Sequence, residues 1–142
     1  MSKKINILHV VGGSSEGGAA KGATNLHNAM IRFGMNSFII YGFHKSKKDT
    51  VDKNIINKSY FINYLQSRIL IFFDRMILKF YVNRKKYIFS SGLFGINLNS
   101  VIKKNKIDIL NLHWVNHGML NINSIKLIQI PIVWTIRDAW VF

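Results

Sequence analysis

Four short apolar runs constrain this chain more than any other feature: INILHVV (5–11), SFIIYGF (37–43), IDILNLHW (107–114) and IPIVWTI (130–136). The first has no clean polar–apolar alternation, which suits a strand buried on both faces. Helical patterns lie between the runs. TNLHNAMIRFG (24–34) places Leu26, Ala29, Met30 and Phe33 at helical spacing, with Gly34 as a stop. Tyr60 to Tyr87 is a long helical candidate whose apolar stripe comprises Phe61, Leu65, Phe72, Phe73, Met76, Ile77 and Phe80. SVIKKNK (100–106) and NSIKLIQ (123–129) read as short helices, and 88–100 as a loop with two glycines. Strands that alternate with helices predict an α/β fold: a Rossmann-like parallel sheet with helices on both faces. At 142 residues this is one domain. Residues 44–59 read as a mobile basic loop.

The formal net charge is +14, from 20 Lys and Arg against 6 Asp and Glu. Such an excess favours an anionic partner. A coding sequence rich in A and T also enriches Lys, Asn and Ile together, and all three are abundant here. Fourteen basic and three acidic residues lie between Lys45 and Lys106, so the charge gathers in the middle of the chain. The Tyr60–Lys86 segment, ending in Arg84, Lys85 and Lys86, reads either as a core helix with its cations in water or as a basic helix on an anionic membrane. No nucleic-acid motif appears, and no such partner is expected. Cysteine is absent, which excludes disulfides and thiolate metal sites. No signal peptide or spanning segment is evident, and a cytoplasmic location is expected, at most peripheral to the inner face of the cell membrane.

In a parallel sheet, ligands bind beyond the carboxyl ends of the strands. Three segments fall there: Gly12–Ala23, His113–Gly118 and Arg137–Phe142. The first packs five glycines into eleven residues. Their spacing fits neither the dinucleotide fingerprint nor a P-loop, since Ala19 and Ala20 stand where Lys and Ser/Thr are needed. Two readings remain open: an anion site at a helix N-terminus, or a tight strand–helix turn. His113 and His117 leave a strand without a carboxylate beside them, so a metal site is not expected. Arg137 could grip a phosphate or carboxylate, or pair with Asp138. The chain stops at Trp140-Val141-Phe142, where a sheet loop should begin, and so reads as an incomplete domain.

Taken in order, ILHVVGGSSEGGAAKGATNLHNAM, LFGINL, DILNLHWVNHGML and PIVWTIRDAWVF resemble the amino-terminal half of family 4 retaining glycosyltransferases, closest to the capsule and exopolysaccharide branch. The likeness covers both ends of the chain and is weak from Lys45 to Lys86. It implies one half of a GT-B fold, with the donor domain and its glutamate pair absent from this chain. It also implies sugar transfer from a nucleotide sugar to a polysaccharide or lipid-linked acceptor, with no metal or other cofactor. On that basis Gly17 and Gly18 approach the donor diphosphate, and His113 and Asn116 line the substrate side. Arg137 and Asp138 are the catalytic candidates. Arg137 departs from the family, which often has His there. The isolated chain is expected to be inactive. The competing reading is a membrane-peripheral basic domain without catalysis.

Overall fold

A computed structural model describes residues 4–43, 54–56, 60–81 and 90–137. Four parallel strands form one sheet in the order β2-β1-β3-β4: β1 Asn6–Ser14, β2 Asn36–Phe43, β3 Ile109–Leu112 and β4 Ile132–Trp134. Between them run α1 Gly18–Arg32, α2 Tyr60–Leu78, α3 Leu98–Asn105 and the single turn α4 Ile122–Ile125. The α/β class and the parallel sheet agree with the expectation from sequence. The topology reverses direction between β1 and β3, and their carboxyl ends are where such sheets open a crevice.

Side chains alternate across the sheet, and its two faces differ in chemistry. Leu8, Val10, Ile40, Leu110 and Leu112 point to one side, where Leu98 and Ile102 of α3 and Met119 and Leu120 close an apolar core. Val11, Ile39 and Tyr41 point to the other, against Ala20 and Ala23 of α1 and Ile55. That second face also buries His9, Ser37, Asn111 and His113. Among the buried side chains of the strands, the α1 face therefore carries a polar layer and the α3 face does not.

Several element boundaries move. Helix α1 buries Ala20, Ala23 and His27, so small residues rather than Leu26, Met30 and Phe33 set its inward line. Phe33 is exposed, and Gly34 ends the helix with φ +77°. The 88–100 segment is not all loop. Leu98 starts α3 because the Asn97 side chain accepts the Ser100 amide at 3.1 Å and caps it. Of residues 44–59, only 54–56 are described. There Ile55 is buried and forms a parallel bridge with Ile39.

Helix α2 ends at Leu78 rather than continuing to Tyr87, and most of the stripe read in the sequence turns outward, Ile77 excepted. Its inward line is Ser67, Leu70, Ile71, Asp74, Ile77 and Leu78. Leu65, Phe72, Phe73 and Met76 face solvent. Two contacts seat it. Leu70 meets the backbone at Gly118, where a Cβ would fall 2.7 Å from Leu70 Cβ. Buried Asp74 accepts from Ser90 Oγ (2.9 Å), the Ser91 amide (2.8 Å) and Ser91 Oγ (2.6 Å). Those hydrogen bonds specify which face turns inward. The face opposite, with about 1.5–3 kcal/mol of burial energy on offer for each large side chain, stays outside.

Candidate functional site

A cleft of about 470 Å³ opens at the carboxyl ends of β1 and β3. Its walls are Gly12 and Ser14 from the end of β1, Gly17, Gly18, Ala19 and Ala20 from the start of α1, and Trp114 and Arg137. Among the described residues no side chain caps α1, and its first turn holds no acidic residue. The first intrahelical bond is Lys21 N–H to the Gly17 carbonyl at 2.9 Å. Gly18, Ala19 and Ala20 line the cleft as the first helical residues, whose amides have no intrahelical carbonyl to bond, at the positive end of the helix dipole.

The glycines of the 12–22 stretch separate by what surrounds them. A Cβ on Gly12 would fall 2.6 Å from the Asn116 carbonyl oxygen, so the β1 end must lie flat on the 114–116 loop. Gly13 has φ +72° under the Trp114 ring. A Cβ on Gly22 would fall 2.5 Å from Nη1 of Arg137, because the guanidinium lies across this part of α1. Gly17 and Gly18 differ. Gly17 has φ −65°, and among the described residues only the Ser14 carbonyl oxygen is within reach of a Cβ there, at 3.6 Å, and nothing lies within 4 Å of a Cβ on Gly18. The packing of the described residues does not demand glycine at either position. The tight-turn reading therefore accounts for three glycines and leaves these two to the open cleft.

Arg137 is held from below. Its Nε–H donates to Nδ1 of His113 at 3.4 Å, and Nε2 of His113 lies 3.1 Å from Nδ1 of His9. A guanidinium only donates. His113 Nδ1 must then be the acceptor, its proton sits on Nε2 and is given to His9, and His9 carries its own proton on Nε2. That last atom is fully buried and has no hydrogen-bond partner among the described residues. The His9 ring lies edge-on to His27 at 6.0 Å, and His27 Nδ1 is 2.7 Å from Ser37 Oγ. Burial lowers the pKa of His9 from 6.5 to about 3, with repulsion from His113 and His27 adding to it. Burial, then Arg137, lowers that of His113 to about 4. Both rings are neutral at pH 7, which keeps the direction of the chain intact.

The residues expected from sequence divide accordingly. Gly17, Gly18 and Arg137 meet in the cleft. His113 is 1% exposed and reaches the cleft only through Arg137. The Asn116 side chain is buried in the turn after Trp114 and is not part of the cleft wall. Asp138 lies outside the described residues. His117, in the left-handed region at φ 56°, stacks edge-on against Trp114 at 4.8 Å. Burial lowers its pKa, Arg75 adds to that, and Asp74 opposes it. Among the described residues no three His, Cys, Asp or Glu side chains are placed to hold a metal ion.

Sequence reasoning missed His9, His27 and Ser37. The strand members of this layer show in the sequence only as isolated polar residues in apolar runs, His9 in INILHVV and Ser37 in SFIIYGF, with Asn111 and His113 two positions apart in ILNLHW, while His27 lies on α1. Comparison with protein-family models, curated proteins and solved structures returned no match.

Proposed function

We propose that the chain is the acceptor-side half of a retaining glycosyltransferase with GT-B architecture. It would transfer a sugar from a nucleotide sugar to a polysaccharide or lipid-linked acceptor. One observation carries the reading: the uncapped first turn of α1 and Arg137 line one cleft, beside two glycines left open by the packing of the described residues. Departure of a nucleoside diphosphate builds negative charge on its terminal phosphate oxygen. Fixed N–H groups and a permanent cation stabilise that charge without reorganising. Arg137 serves as an electrostatic clamp in this scheme, since a guanidinium does not release a proton at neutral pH. His113 fixes its orientation. The order of the four segments that resemble the family supplies the sugar-transfer half of the reading.

Calorimetric titration with UDP and with inorganic pyrophosphate tests the site. Both should bind, and Arg137→Gln should weaken each about tenfold, the loss of one charge-assisted contact. Absence of binding to the unaltered chain, or equal affinity in the variant, would overturn the assignment. Transfer is expected only with the donor domain present. Turnover of any nucleotide sugar by this chain alone would contradict the division of labour.

A further inference from the structure

We propose that the outward face of α2 lies on an anionic lipid bilayer. Leu65, Ile69, Phe72 and Met76 recur at helical spacing along that face, Phe73 flanks them, and Phe80 extends the stripe into the turn beyond. Phe72 is 60% exposed and Phe80 82%. At 3.6 residues per turn, Arg68, Arg75 and Lys79 fall in one row beside the stripe, and all three are exposed. The only acidic residue of the helix, Asp74, is on the opposite, buried side. An exposed apolar stripe beside a purely cationic row is the pattern of a helix lying in a membrane interface. No helix among the described residues is long and apolar enough to cross a membrane, so the face would lie along the surface.

The charge decides between occupants. A second copy docked through the same face would bring two rows of Arg and Lys together with no carboxylate of that helix face to offset them. Anionic headgroups complement the row, and acyl chains accept the stripe. The cations concerned are Arg68, Arg75 and Lys79, whereas the sequence drew attention to Arg84, Lys85 and Lys86, which lie outside the described residues. The proposal does not rest on the anion cleft.

Vesicle sedimentation of the 142-residue chain tests it. Phosphatidylglycerol-containing vesicles should carry the protein down, pure phosphatidylcholine vesicles should not, and added salt should release it. Neutralising Arg68, Arg75 and Lys79 together to Gln should weaken binding roughly fivefold per charge. Replacing Ile69, Phe72 and Met76 together with Ser should abolish it. All six side chains are exposed, and an unchanged thermal melt would show that each variant folds. Retention of the unaltered chain in the supernatant, equal binding to neutral vesicles, or indifference to both variants would overturn the proposal. So would a dimer in sedimentation velocity that Phe72→Ser and Met76→Ser dissolve, since that would assign the face to a second copy.

Discussion

Gly18 and Gly22 lie one helical turn apart on α1 and answer to different constraints. Space is open above Gly18, whereas the Arg137 guanidinium occupies the place of a side chain on Gly22. Alanine at Gly18 should leave the fold intact and add about 0.4–1 kcal/mol of stability through the unfolded chain. It should nonetheless weaken pyrophosphate binding, because a methyl group would stand among the amides. Alanine at Gly22 meets only the far end of a flexible side chain, so Arg137 swings away and the helix survives. The expected result is unchanged or raised Tm with a roughly tenfold loss of pyrophosphate affinity. Gly12 contrasts with both. Its neighbour is the backbone oxygen of Asn116, and alanine there should cost about 1–3 kcal/mol as overpacking. Three melting curves and three titrations separate these outcomes. A fall in stability at Gly18 matching that at Gly12 would show that the loop is packed rather than open.

At the scale of elements, α2 shows polar contacts overriding hydrophobic pattern. Its sequence presents large apolar residues on most sides, and hydropathy alone does not say which go inward. Asp74, with three hydrogen bonds to Ser90 and Ser91, together with Leu70 against Gly118, makes that choice. Replacing Asp74 with Ala leaves a half-buried amide and two hydroxyls without this acceptor, and should cost about 1–3 kcal/mol in urea unfolding. Asp74→Asn should recover part of that loss. If alanine were neutral, the orientation of α2 would have to come from its apolar contacts. Helix α1 shows the opposite case. Ala20 and Ala23 let it approach the sheet closely, and the space under its later turns is filled by the polar layer of His27, Ser37 and His9.

For the whole molecule, the buried histidines couple stability to pH. In the folded chain His9 titrates near 3 and His113 near 4, both below 6.5. The unfolded chain therefore binds protons that the folded chain refuses. Stability from this source is fully present above about pH 6.5, and as pH falls it declines by about 1.4 kcal/mol per unit for each ring. The decline continues until each folded pKa is passed. Melts recorded between about pH 8 and pH 5 should show Tm falling on the acid side. A His9→Gln variant should fall less steeply. A flat profile would mean that the rings are not buried neutral, and the Arg137–His113–His9 chain would lose its fixed direction.

Much of the architecture was readable in the linear chain, because strand and helix are written in local periodicity. The apolar runs near 5–11, 37–43, 107–114 and 130–136 marked all four strands, and Gly34 marked the end of α1. The sheet edge that gathers Gly17, Gly18 and Arg137 followed from the parallel connection alone. Other features come from residues distant in sequence, and no local pattern encodes them. His9 and His113 are 104 positions apart, and only the pairing of β1 with β3 makes them neighbours. Arg137 explains Gly22 only once β4 brings its end over α1. The outward stripe of α2 likewise depends on where Asp74 finds its serines. Sequence by itself determined which segments are strands and helices and which loops share an edge. The tertiary structure decided which polar groups meet and which apolar face is left outside, because burial and hydrogen-bond geometry are properties of the assembled layers.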